Sequence, residues 1–278
     1  MKIPKLVLII PYRDREPHYI FFTKYMPFIL EDYNNDDYEF CFVHQHDERP
    51  FNRGALKNIG FMYYRDKYPD NYKDIQFIFH DIDTIPYTKE LWNYETKKGI
   101  VKHFYGYKHA LGGILTIFGE DFEKINGFPC FWSWGFEDNV LQKRVLSNNM
   151  EIDRSEFYDI QSKEVLHFFD GYERNISIEN INRTKNCSKN DGITSLKEIS
   201  FSIDSENMMI HVYGFNTLIN SKNDHYVDYN IKNGNHINKN NLVKLYNNNN
   251  VKKIREFEKL MFTNTSSLKI SKISKKSK

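Results

Sequence analysis

The stretch Phe77-Ile78-Phe79-His80-Asp81-Ile82-Asp83-Thr84-Ile85-Pro86 decides how the rest of the chain is read. An apolar run passes straight into two carboxylates two residues apart and then a proline. Both acids therefore project from the carboxyl end of a strand, where open α/β sheets hold their ligands. Alternate residues of an extended chain point the same way, so Asp81 and Asp83 can face one site, one toward a sugar hydroxyl and one toward a divalent cation. In isolation, two acids capping a turn before Pro86 would have the same sequence.

Working outward, β-rich runs at Leu6–Ile10, Glu39–Val43, Ile75–His80, Gly113–Phe118 and Val165–Phe169 predict strands. Between them Phe22, Met26, Ile29 and Leu30, and then Leu56, Ile59 and Tyr63, sit at helical spacing, and a third helix is expected from Glu137 through Val140, Leu141, Val145 and Leu146. This alternation predicts an α/β domain with a largely parallel sheet. We expect one main domain over 1–215, an Asn-rich surface excursion with a C-terminal helix over 216–262, and a Lys-rich disordered tail over 263–278.

Length and composition narrow the function. The chain has 278 residues, enough for a core without staples, and 39 Lys plus Arg against 37 Asp plus Glu give no case for a nucleic-acid binder. Cys41, Cys130 and Cys187 form no CxxC pair, which fits a reducing compartment better than a disulfide framework. The apolar run Leu6–Ile10 is too short for a signal peptide or membrane anchor, so a cytoplasmic protein without a membrane span is expected.

Three further segments carry candidate chemistry. Ile125–Asn139 holds Trp132 and Trp134 beside Glu137 and Asp138, an aromatic wall next to carboxylates of the kind that can bind a sugar face and accept a hydroxyl proton. The alternative is a core role for both tryptophans and a helix-start role for both acids. Arg13, Arg15 and Arg53 lie where a nucleotide diphosphate would need cations, with Phe51 available to stack on a base. Glu164 and His167, three apart near a strand end, could complete a coordination sphere with Asp83.

Taken in order, these segments resemble the beta-1,4-galactosyltransferase family. Pro11–Arg15 is similar to its PFRxR opening, and Phe51-Asn52-Arg53 with Leu56, Asn58, Gly60 and Phe61 to its FNRxxLxNxGF segment. Asp81-Ile82-Asp83 with Ile85-Pro86 resembles its DVDxIP. Gly112-Gly113, then Ile125–Pro129 with Trp134-Gly135 and Glu137-Asp138, resemble its GG and INGFPNxxWGWGGEDDD signatures, and Asp191–Leu196 its DGxNSL stretch. The resemblance covers about 6–201 and implies a GT-A type fold, a Rossmann-like, mixed, mostly parallel sheet flanked by helices. It implies an inverting transferase that moves a hexose, galactose or N-acetylgalactosamine, from a UDP-sugar to a glycan or glycoconjugate acceptor.

The same resemblance assigns roles. Asp83 and His167 would bind Mn²⁺, and Asp81 would hold the donor ribose. Arg13, Arg15, Phe51 and Arg53 would line the UDP pocket, with Trp134 and Gly113 at sugar or diphosphate. Asp138 falls on the catalytic base position and Glu137, with Trp134, on the acceptor side. Departures from the pattern alter expectations. Glu164 stands where the third metal ligand is typically Met, an oxygen ligand suited to Mn²⁺ or Mg²⁺. Ala110, two before the GG, replaces a frequent aromatic and opens room at the donor sugar for an N-acetyl group. Ser133, Phe136 and Asn139 replace Gly, Gly and Asp, predicting a stiffer lid; they also motivate the alternative of an inactive sugar-binding relative.

Overall fold

The computed structural model of the chain describes residues 2–169, 171–233, 237 and 240–250. In chain order the elements are β1 (Leu6–Tyr12), α1 (Glu16–Ile29), β2 (Tyr38–Gln45), α2 (Arg53–Lys67), β3 (Gln76–Phe79), β4 (Thr84–Pro86), β5 (Ile100–Gly106), β6 (Ile114–Phe118) and α3 (Gly119–Lys124). They continue with α4 (Glu137–Ser147), β7 (Glu151–Asp153), β8 (Tyr158–Asp159), β9 (Val165–His167), β10 (Glu173–Ser177), α5 (Ile178–Lys185), β11 (Lys197–Asp204), β12 (Met209–Asn216) and β13 (Tyr226–Asn230).

The main sheet runs β11-β12-β2-β1-β3-β6-β5-β7, with β8 paired to β5. Its β12-β2-β1-β3 half is parallel, and β6 enters antiparallel to both β3 and β5. Every residue of β1 is buried, as expected for a central strand covered on both faces and written as a continuous apolar run. Period-two alternation splits it between two cores. Val7 and Ile9 join Val43, Phe77 and Phe79 under Leu56, Ile59 and Phe61 of α2, while Leu6, Leu8 and Ile10 pack with Phe22, Met26 and Ile29 of α1. Each fully buried side chain of this size contributes roughly 1.5–3 kcal/mol.

The expected strands at 6–10, 39–43, 75–80 and 113–118 and the three helices are present. The strand expected at 165–169 forms as β9, but it pairs with β4 in a separate two-stranded sheet. The α/β rhythm does not end near residue 169, because β11 and β12 add two strands to the main sheet edge. β11 does alternate, with Ile199, Phe201 and Ile203 against Ser200, Ser202 and Asp204, but it lies at the sheet edge and is exposed along most of its length. β5 carries His103 and Lys102 among its buried residues, which broke the apolar pattern. Within the Asn-rich stretch, β13 pairs antiparallel with β10, and Val227, Tyr229 and Leu242 bury their side chains with Ile176 and Ile178. That stretch is therefore anchored through alternate apolar residues and is not a bare excursion. Residues 240–250 are helical; the remainder of the expected C-terminal helix and the Lys-rich tail lie outside the described residues.

Candidate active site

The second crossover, from β2 to β3, runs through α2, whose N-terminus is capped by the Asn52 side chain accepting from the Ala55 amide at 2.9 Å. That cap fixes Arg53 at the opening of the helix. The Arg53 guanidinium then joins three carboxylates from two other segments: it donates to Asp81, lies 2.9 Å from Glu137 Oε1, and is 3.8 Å from Asp138 Oδ2. Burial alone would loosen the Arg53 proton, but the three carboxylates outweigh it and raise the guanidinium above its ordinary value. Arg53→Ala strands partly buried negative charge, and we expect a loss of roughly 3–5 kcal/mol in urea unfolding, with Arg53→Lys restoring only part because it lacks the planar fork. An unchanged unfolding midpoint in Arg53→Ala would show that the carboxylates do not depend on this cation.

One helical turn on, Lys57 is fully buried, with its ammonium 4.5 Å from the Phe128 ring centre and 3.9 Å from Asp138 Oδ1. Burial, ahead of repulsion from Arg53, lowers its pKa. Sequence reasoning missed this residue, although its position four after Arg53 places both on one helix face. Asp138 sits in the first turn of α4. Burial and the adjacent Glu137 charge push its carboxyl up to about 7. Glu137 Oε2 and Asp138 Oδ1 are buried oxygens with no hydrogen-bond partner. Gly112 packs directly on this acid: a Cβ there would meet Asp138 Oδ2 at 2.2 Å, and the Leu111 amide donates to the Asp138 carbonyl at 3.1 Å. Gly113 takes φ +70° against the Tyr105 carbonyl, a position only glycine fills without strain. Ala110 is buried in the same loop. Neither Ala110 nor Gly113 is among the residues lining the cleft described next.

A cleft of ≈ 650 Å³ opens beside the carboxyl end of β1 and β3, lined by Arg13, Arg15, Phe51, Arg53, Asp81, Asp83, Trp134 and Arg174 among others. The Arg13 guanidinium lies 5.1 Å from the Phe51 ring centre and donates to the Arg49 carbonyl at 2.8 Å, so both side chains are held in place. The two tryptophans divide. Trp134 lines the cleft, while Trp132 is buried and stacks on Phe215 at 5.3 Å, as a core residue.

At the cleft wall, the β4–β9 ribbon pairs Thr84 with His167, and the Phe168 amide donates to the Asp83 carbonyl at 2.8 Å. This register sets Asp83 Oδ2 3.8 Å from His167 Nε2. Burial would raise the Asp83 pKa, but the facing imidazole and the Thr84 hydroxyl outweigh it and hold the carboxyl below its ordinary value. Glu164 is not brought to this pair. Its carbonyl accepts from Tyr87, three residues along the ribbon from Thr84, and its carboxylate accepts from the Ser162 hydroxyl. The odd spacing from His167 turns it to the other ribbon face. His80 is no ligand: it is buried edge-on to Phe22, and burial pushes it down to about 4.

Several motif residues are scaffold. Asn58 donates to the Phe128 carbonyl at 2.8 Å and accepts from its amide at 3.0 Å, while Asp191 accepts from the Cys130 amide at 3.1 Å. Both clamp the 125–135 loop that delivers Trp134 and α4. Ser133 and Phe136 adopt φ +72° and +74°, so the positions expected to stiffen the loop keep the left-handed backbone of glycine at a cost of about 1 kcal/mol each.

Comparison with known proteins agrees with this architecture. A family model described as the N-terminal region of glycosyl transferase group 7 matches residues 2–94, and one described as the N-terminal domain of galactosyltransferase matches 100–169, together more than half of the chain. The chain is 34% identical to rat beta-1,4-galactosyltransferase 6 over 164 residues, covering 55% of this chain and 41% of that protein; it thus spans about two fifths of that relative's length. It is 26% identical to the Caenorhabditis elegans xylosylprotein 4-beta-galactosyltransferase over 218 residues, 74% of this chain and 73% of that one. Among solved structures, the catalytic domain of Drosophila beta-1,4-galactosyltransferase 7 in complex with xylobiose superposes with a TM-score of 0.60 at 19% identity, covering 79% of this chain and 97% of that domain. A mutant of the same Drosophila enzyme was solved with manganese, UDP-Gal and xylobiose, at a TM-score of 0.59 and 18% identity. The fold is GT-A, and the chain belongs to the beta-1,4-galactosyltransferase family.

Proposed function

We propose that the chain is an inverting, metal-dependent glycosyltransferase that moves a hexose from a UDP-sugar to a saccharide hydroxyl, on a single GT-A domain spanning 1–215. One observation carries the reading. Two buried carboxylate oxygens without hydrogen-bond partners, Glu137 Oε2 and Asp138 Oδ1, flank Arg53, which bonds Glu137 and Asp81 and lines one cleft with Asp81 and Asp83, the acid that His167 faces. An unpartnered buried oxygen is costly unless a ligand hydroxyl satisfies it.

The donor set fits the metal that the family implies. One carboxylate oxygen and one imidazole nitrogen, 3.8 Å apart at the cleft, suit Mn²⁺, and Mg²⁺ by the carboxylate. Asp83 and His167 would hold the ion, which when bound supplies Lewis-acid charge to the diphosphate. Arg13 and Arg15 bring positive charge to the leaving UDP, and Phe51 offers a face for the base. Asp81, fixed by Arg53, is placed to accept from a ribose hydroxyl. Trp134 presents a ring to the sugar. Asp138, poised near neutral pH, takes the proton from the acceptor hydroxyl as it attacks the anomeric carbon from the face opposite UDP, so configuration inverts.

UDP release by the purified chain with UDP-galactose and a saccharide acceptor tests this. Release that depends on Mn²⁺ is expected, and none with any donor and metal would favour the inactive sugar-binding alternative. Ala110 supports N-acetylgalactosamine as the second donor. It is a small buried residue in the loop packed on Asp138. Ala110→Tyr is then expected to lower the turnover ratio of UDP-N-acetylgalactosamine to UDP-galactose by roughly 10-fold or more. An unchanged ratio would remove Ala110 from donor selection.

A further inference from the structure

His44 in β2, His46 just beyond its end and His211 in β12 stand outside the transfer chemistry. Among the described residues they form the one group of three or more His, Cys, Asp or Glu whose ligand atoms all lie within 4.8 Å of one another. From this geometry we propose a second metal site, in which the three imidazoles bind a divalent transition-metal ion of the Zn²⁺ class and clasp β12 to β2.

The arrangement follows from register. His211 is the parallel partner of His44, and His46, two residues on, extends over the same sheet face. His46 Nε2 lies 2.8 Å from His211 Nδ1. Two ligands at about 2.0–2.1 Å in a tetrahedral shell sit roughly 3.3 Å apart, so a small ring rotation exchanges the shared proton for a metal ion. His44 Nδ1 is buried with no hydrogen-bond partner, a lone pair or proton left unmatched by the protein. On the far side of His211, Nε2 lies 3.8 Å from Asp204 Oδ2, where a carboxylate can orient a ligating imidazole. An all-imidazole set favours Zn²⁺ and its neighbours over Mn²⁺ and Mg²⁺, which separates this site from the Asp83–His167 pair. His46 is exposed, leaving the fourth position to water.

This inference is independent of the transferase reading and has its own test. CoCl₂ is titrated into the full chain carrying Asp83→Asn, which disables the cleft pair, and the visible absorption of tetrahedral cobalt is recorded. One equivalent with that absorption, displaced by ZnCl₂, is the expected result. His46→Gln, at an exposed position, and His211→Gln in the same background should abolish the band with unchanged circular dichroism. Asp204→Asn should weaken cobalt binding by about 10–100-fold. No band in the Asp83→Asn chain, or a band that survives His46→Gln and His211→Gln, would overturn the proposal.

Discussion

Asp138→Asn is expected to cut transfer by about 10²–10⁴-fold while leaving donor binding intact, because the amide keeps the shape of the side chain and loses only the capacity to take a proton. The effect carries a pH signature. With its carboxyl pushed up to about 7 by burial and by Glu137, the wild type should gain turnover as pH rises toward that value and then level off. The variant's residual rate should lack this limb. Linkage gives a second readout. A carboxyl whose folded value lies above its ordinary 3.8 contributes stability that is present below that value and lost as pH climbs to about 7. Wild-type stability should therefore fall between about pH 4 and 7 relative to Asp138→Asn. Retained transfer in the variant would remove Asp138 from the base role.

Asp83→Asn and His167→Ala should each abolish metal-dependent donor binding, and the lost electrostatic contribution of several kcal/mol corresponds to about three or more powers of ten in turnover. The reason is geometric: Thr84 pairs with His167, and neither remaining side chain can grip the ion alone. Calorimetry with UDP, comparing added Mn²⁺ with a chelator, checks it. The wild type should show a large difference and the variants none. Glu164→Ala should retain most of that difference, since its carboxylate accepts from the Ser162 hydroxyl. Mn²⁺-dependent UDP binding that persists in both Asp83→Asn and His167→Ala would place the ion elsewhere.

How far the sequence is legible follows from which physical signal each residue leaves. β1, Phe40–Val43 of β2 and Phe77–Phe79 of β3 are buried on both faces and read as unbroken apolar runs, so they are plain in the sequence. β11 and β12 form a sheet edge with polar exposure, and β12 joins the sheet by pairing with β2 more than 150 residues away, a relation no local period records. Asp81, Asp83, Arg53 and Trp134 are legible because strand ends and helix starts put them at one edge of the sheet. Glu164 is not, because its distance from Asp83 depends on the β4–β9 register, where a three-residue offset reverses the face. Lys57 was hidden by its type: a lysine in a helix reads as solvated, and only the packed loop bearing Phe128 and Asp138 shows it buried. The histidine cluster, assembled from β2 and β12, shares that cause.

The transfer chemistry depends on where a divalent ion and a nucleotide sugar settle. A crystal of the chain grown with MnCl₂ and UDP-galactose, with anomalous scattering collected for manganese, locates both. The predicted map has the manganese peak bridging the Asp83 carboxylate and the His167 imidazole, with UDP between Arg13 and Arg53 and the sugar toward Asp138. A manganese peak away from that pair, or UDP bound outside the cleft, would contradict it.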